Sequence, residues 1–215
     1  MTEQDIGRSD EIWERYSLHE KAYQFSKHSL LSSATEIWPD APAVLLREHY
    51  RCHPKIIGFC NQKFYDGKLI IMTKDSDESN VLTMYRTAPG NHARGHLNQR
   101  QIDVIKEEVL PALTQANFQS IGIITPYRDQ VQAIHRQLGS QYEVATVHKF
   151  QGREKDAIIL TSVDNVIGTF VDDPNMLNVA VSRAAKTLCV IWKRSLRHIG
   201  INSLGRLGIG LQEQS

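Results

Sequence analysis

Nowhere in the 215 residues is there a run of about 18 apolar residues, the length a helix needs to cross a bilayer. The stretch from Met1 to Arg15 is polar and charged and lacks the apolar centre of a secretion signal, so the expectation is a chain that neither spans a membrane nor is exported. Cysteine is scarce: Cys52, Cys60 and Cys189 are the only three, with no C-x-x-C pair. That is too few for a disulfide framework and fits no standard zinc spacing, which points to a reducing, cytoplasmic setting and to no metal site. An excess of one charge is also missing. Lys plus Arg number 25 against 24 Asp plus Glu, so any nucleic-acid contact must use a local patch rather than net charge. Internal repeats and low-complexity tracts are absent.

What is present suits one sizeable folded domain. Apolar residues make up 41% and charged residues 23%, an ordinary globular mixture that excludes disordered and fibrous classes. Residues 1–18 read as a linker or frayed helix, 19–199 as the domain, and the glycine-bearing 200–215 as a loosely ordered tail. Strands are expected over Ala43 to Leu46, Val81 to Tyr85, Ile121 to Thr125, Tyr142 to Val147, Ala157 to Val163 and Leu188 to Trp192. Helices are expected over Lys55 to Tyr65, Gln99 to Leu113, Asp129 to Leu138 and Met176 to Ala185. Strands apolar on both faces and separated by helices predict a three-layer α/β/α fold with a parallel sheet.

Four clusters carry chemistry. Arg51, with Tyr50, Cys52, His53 and Pro54, is expected where a strand exits into a helix, the end at which open α/β sheets bind ligands. Its guanidinium offers a planar fork to phosphate oxygens or, more plainly, a surface ion pair. Thr125 and Tyr127, with Arg128 and Gln130, again follow a strand. They offer a hydroxyl to phosphate and a ring to a base, or else a proline-initiated helix with a tyrosine packed at its foot. The segment from Thr146 through Asp156 joins two strands through too little chain for a full helix. Gly152 there lets the backbone approach a ligand, and Glu154 either accepts from a ribose hydroxyl or orients an arginine. Arg183, on a helix with Leu177 and Val181 facing the core, points off that face toward an edge.

In this order the segments resemble the C-terminal, RecA-like motor domain of superfamily-1 helicases, in the branch of the nonsense-mediated-decay helicases and the replication helicase-nucleases. The resemblance covers Leu46 to Trp192: Leu-x-x-x-Tyr-Arg-x-His-Pro at Leu46 to Pro54, Ile123 to Gln130, Thr146 through Glu154, and Asn178 through Ala184. It implies that Arg51 and Arg183 reach the γ-phosphate of ATP, that Glu154 contacts the sugar, and that Gln151 and Gly152 line the same cleft. It further implies that Thr125, Tyr127, Thr146 and His148 face single-stranded DNA or RNA. Cys52 stands where the family usually has methionine, another soft hydrophobe.

Two family parts are not in the sequence. The only Gly-Lys pair, Gly67 and Lys68, is followed by Leu69, so no G-x-x-x-x-G-K-S/T phosphate loop exists. Asp172 and Asp173 run into Pro174 and read as a loop rather than a magnesium pair. The resemblance therefore implies that the phosphate loop and the Mg2+ ligands belong to a separate N-terminal RecA-like domain, and that this chain alone is inactive as an ATPase. The other reading is a nucleic-acid-binding scaffold that kept the fold without the motor.

Overall fold

The computed structural model describes residues 3–75, 78–87, 93–164 and 173–193, together with the backbone of 212–214. The chain divides into two compact units, Met1–Leu46 and Arg47–Ser215, so the boundary expected near residue 18 falls inside the first unit. The first unit holds helix α1 (Glu3–Arg15), which buries no residue, a 3-10 turn at Lys21–Tyr23, and helix α2 (Leu30–Ile37). Ser29 and Ser32 form a capping box at the start of α2, satisfying N–H groups that a helix start leaves open. Ala43–Leu46 is not a buried strand. Val44 is 83% exposed and Leu46 87%: apolar composition favours burial, but no ladder partner is on offer among the described residues.

The second unit begins with β1 (Glu48–His49), α3 (Pro54–Phe64) and β2 (Ile70–Ile71), β1 pairing in parallel with β2. Pro54 sits in the first turn of α3, where a missing N–H costs nothing, and Ile56, Ile57, Phe59 and Cys60 form its buried stripe. Then come β3 (Leu82–Thr87) and an antiparallel hairpin of β4 (Ala93–Arg94) and β5 (Leu97–Asn98). The predicted helix from Gln99 is continuous but not uniform. It runs as α4 (Gln99–Val104), a π-helical turn (Ile105–Val109) and α5 (Leu110–Gln115). Pro111 has no N–H for the carbonyl four residues back, and the wider turn just before it absorbs that mismatch.

The remaining elements are β6 (Ile121–Thr125), α6 (Arg128–Leu138), β7 (Glu143–Thr146), β8 (Lys155–Thr161), α7 (Pro174–Val181), β9 (Ala184–Lys193) and a short β10 (Gln212–Gln214). Apart from those three residues, the expected tail lies outside the described residues. The main sheet has the order β10-β3-β9-β8-β6-β7 with every pair parallel. Alternate residues feed two cores. Ile124, Ile158 and Leu188 pack with α3 and α7 on one face, while Ile123, Ile159 and Cys189 pack with α4, α5 and α6 on the other. This is the three-layer α/β/α architecture read from the sequence.

One connection stands apart. Between β7 and β8, residues 147–154 must pass across β6 without a full helix, and they do so with a 3-10 turn at Val147–Phe150. The crossing is tight because Gly122 of β6 has no side chain. A Cβ there would lie 2.6 Å from Cζ of Phe150.

Candidate functional site

Three loops distant in sequence converge at the N-terminal ends of β8 and β9. The backbone laces them together: Lys155 N–H donates to Arg183 O at 3.1 Å and His53 N–H to Ala185 O at 2.7 Å. The Cys52 thiol, fully buried, donates to Ser182 O at 3.3 Å. His49 Nε2 accepts from Cys52 N–H and Thr73 donates to Cys52 O, so the loop holding Arg51 is tied at both its ends.

This frame brings Arg51, Glu154 and Arg183 together. It does so at the opposite end of the main sheet from the one expected. Arg51 follows the short β1, yet it packs at the start of β8, where its Nε pairs with Glu154. Arg183 is also not on a helix. α7 stops at Val181 with Ser182 as its C-cap, and Arg183 occupies the turn into β9, because β8 pairing claims Ala184 for the sheet.

The electrostatics favour an anion. Two guanidinium groups against one carboxylate leave one uncompensated positive charge at this cluster. Burial, and next the Arg51 charge, push Arg183 below the ordinary arginine value, so its cation is disfavoured as it stands and gains from an added negative charge. For now the Arg183 guanidinium donates to Val179 O at 3.1 Å, Arg153 O at 3.4 Å and Ser182 Oγ at 3.2 Å. The side chains of Arg51 and Glu154 are 42% and 56% exposed, and a pair so wet is worth only about 0–1 kcal/mol, which makes it easy to exchange for phosphate oxygens. Cys52 is no nucleophile here: desolvation raises its thiol to about 11 despite the nearby arginines. The donor set suits phosphate and does not suit Mg2+, for which the cluster has a single carboxylate, Glu154, already paired with Arg51.

Gln151 and Gly152 lie exposed on the turn that leads to Glu154, and Gly152 takes φ +82°, open to glycine and strained for other residues. Tyr65 accepts from Asn178 Nδ2 at 2.9 Å.

The residues expected to face nucleic acid gather at the other, C-terminal end of the sheet. Thr125 and Thr146 are register partners ending β6 and β7, and His148 is exposed on the 3-10 turn that follows. Thr125 itself is fully buried, and its hydroxyl has no hydrogen-bond partner among the described residues. Tyr127 immediately precedes α6, donates to Asp164 Oδ2 at 2.5 Å, and is raised to about 12 by burial first and that carboxylate second. Residues 147–154 thus connect the two ends, His148 at one and Glu154 at the other.

Sequence reasoning missed a buried polar network under this second surface. Gln130 pairs with the backbone of Asn98, accepting from its N–H at 2.9 Å and donating to its carbonyl at 3.3 Å. Asn98 Nδ2 donates to Val163 O at 2.7 Å, and Gln101 Oε1 accepts from Val163 N–H at 3.0 Å and from Thr161. Together they hold Val163, a β-branched residue, at φ +63°. The one sequence signal was Asn98-x-x-Gln101, a helix-start pattern in which Asn98 caps α4. Of the acidic pair read as a loop, Asp173 caps α7, and Asp172 lies outside the described residues. Among the described residues no cluster of His, Cys, Asp and Glu is arranged to hold a metal, and no helix is long and apolar enough to cross a membrane.

Comparison with known proteins places these features in a family. A family model described as an AAA domain matches residues 26–195. The chain is 32% identical over 177 residues to Regulator of nonsense transcripts 1 of Caenorhabditis elegans, covering 68% of this chain and 16% of that protein. It is 30% identical over 176 residues to Helicase sen1 of Schizosaccharomyces pombe, covering 68% of this chain and 10% of that one. To the DNA polymerase alpha-associated DNA helicase A of Saccharomyces cerevisiae it is 28% identical over 203 residues, covering 76% and 29%. The chain thus spans between a tenth and under a third of the lengths of these relatives. Among solved structures, the C-terminal domain of a possible DNA helicase from Lactobacillus plantarum overlays with a TM-score of 0.46 at 15% identity, covering 68% of this chain and 89% of that one, a likeness too partial to argue from.

Proposed function

The chain belongs to the AAA domain family that these superfamily-1 helicases share, and on that premise we propose that it is the C-terminal motor domain of an ATP-dependent helicase. In this reading Arg51 and Arg183 meet the γ-phosphate of an ATP whose phosphate loop and Mg2+ ligands are supplied by a separate RecA-like domain. Glu154 gives up its pairing with Arg51 when the phosphate arrives and turns to the ribose, with Gln151 and Gly152 forming the wall beside it. Thr146, Tyr127 and His148 lie along the path of a DNA or RNA single strand, and Thr125 supports that surface from beneath. ATP closes the cleft by attracting both arginines, and hydrolysis releases them, moving the strand-binding end with the rigid sheet.

The observation that carries this reading is the convergence of Arg51, Glu154 and Arg183 from three separate loops onto one anion-seeking cluster. A surface ion pair alone would not need a second, half-buried guanidinium beside it.

The test uses the full-length helicase. Arg183→Ala should lower strand-stimulated ATP hydrolysis by about 10³–10⁵, the contribution of an arginine set against a transferring phosphoryl group. Nucleotide binding, measured with a fluorescent ATP analogue, should stay within a few-fold of wild type. Unchanged turnover removes Arg183 from the site and favours the scaffold reading. The isolated chain should show no ATPase activity above background.

A further inference from the structure

At the C-terminal end of the sheet the hairpin of β4 and β5 lays a ring on Tyr127. Arg94 pairs with Leu97, so the hairpin turns through Gly95 and His96 alone. Gly95 takes φ +57°, which a two-residue hairpin turn requires and glycine supplies without strain. The turn puts His96 over Tyr127 with ring centroids 4.2 Å apart and planes 38° from parallel. His96 is exposed, and Tyr127 beneath it is half-buried.

This pair is held more firmly than a chance surface contact. Gln130 lies in the first turn of α6, which Tyr127 immediately precedes, and its carboxamide binds both the N–H and the carbonyl of Asn98 at the end of β5. The two segments that carry the rings are thereby fastened by fully buried hydrogen bonds, since Gln130 is 0% and Asn98 2% exposed. The Tyr127 hydroxyl is anchored in turn on Asp164. A buried polar network of this kind fixes one geometry, because any slippage leaves groups unpaired.

We infer that His96 and Tyr127 form a two-ring platform on which an unpaired nucleobase of the bound strand stacks, His96 being the direct contact and Tyr127 its support. The inference rests on the reading of this end of the sheet as the strand-binding surface. Bases stack on aromatic faces regardless of sequence, which is the recognition a translocating motor requires. A ring already stacked on one face loses little freedom when a base covers the other.

The experiment measures binding of two fluorescent single strands to the full chain by anisotropy: an oligothymidine, and an abasic strand of the same length and charge. His96→Ala should weaken oligothymidine binding by about five- to 150-fold, the range of aromatic–base stacking, and leave abasic-strand binding unchanged. His96→Trp should restore the oligothymidine affinity, since it keeps a ring and removes the imidazole's hydrogen bonding. Because His96 is exposed at a hairpin tip, the thermal midpoint of each variant should match wild type. Equal loss on both strands, no loss on either, or failure of Trp to rescue overturns the platform while the strand-binding surface stands. If the wild-type chain binds neither strand, the surface reading falls first and the platform with it.

Discussion

Replacing Gly122 by alanine tests whether the crossover between β7 and β8 truly rests on β6. The added Cβ would lie 2.6 Å from Cζ of Phe150, 2.9 Å from Cγ of Lys155 and 3.0 Å from Cδ1 of Ile158. Ordinary carbon contacts fall at about 3.5–4.0 Å, so the Phe150 ring must retreat by roughly 1 Å. It has nowhere to go, being fully buried, and Lys155 is tethered to Glu143 at 2.8 Å. Overpacking of this kind costs about 1–3 kcal/mol. At about 2–4 °C per kcal/mol for a chain of this size, the midpoint of thermal unfolding followed by circular dichroism should fall by about 2–12 °C. The sign is the discriminating feature, because alanine in a strand interior is otherwise better than glycine by about 0.5–1 kcal/mol. A midpoint that rises or stays level would refute the contact. Phe150→Leu should rescue in combination: the new methyl occupies space the ring vacates, so the double variant should lose less than the sum of the two singles. Since Phe150 and Glu154 share one short crossover, Gly122→Ala should also weaken nucleotide binding in the helicase proposed above.

Four further outcomes follow from burial and geometry at named residues. Desolvation raises the thiols of Cys52 to about 11 and of Cys60 and Cys189 to about 12, so all three should resist an aromatic disulfide reagent at pH 8 until the chain is unfolded. These raised values mean that the folded form holds its protons longer, so the associated stability is full below pH 9 and is lost as pH climbs toward 12; a base-unfolding curve that is flat over that window would contradict it. Gly152→Ala forces a side chain into φ +82° and should cost about 1–2 kcal/mol in a thermal melt, with no steric neighbour to blame because nothing lies within 4 Å. Glu154→Gln removes the half-exposed partner of Arg51 and should change chain stability by less than about 1 kcal/mol while altering the KM for ATP of the helicase proposed above; a large stability loss would mean the pair is structural.

Much of the fold was legible because its signals are local. Ile121–Thr125 is a core strand buried on both faces, and such strands read as unbroken apolar runs ended by Pro126. Pro54 followed by the stripe of Ile56, Ile57 and Cys60 announces a helix start in the same way. Ala43–Leu46 carries an equally apolar run and fails, because a strand also needs a neighbour to accept its hydrogen bonds and that neighbour is not a property of the segment. Arg51, Glu154 and Arg183 were found one at a time through motifs, each with a plainer explanation of its own.

Sequence alone therefore determined the strands and helices whose signals are local, and which residue types the chain has to offer a phosphate or a base. Tertiary structure alone decided which of them meet. It put the arginine cluster at the N-terminal ends of β8 and β9 and the aromatic pair at the opposite end, buried the Thr125 hydroxyl, and moved Arg183 from a helix to a turn. The physical reason is range. Helix and strand periodicities act over two to four residues, whereas Cys52 meets Ser182 across 130 positions and Asn98 meets Val163 across 65. Those partners are chosen only when the sheet order β9-β8-β6-β7 brings their strands side by side.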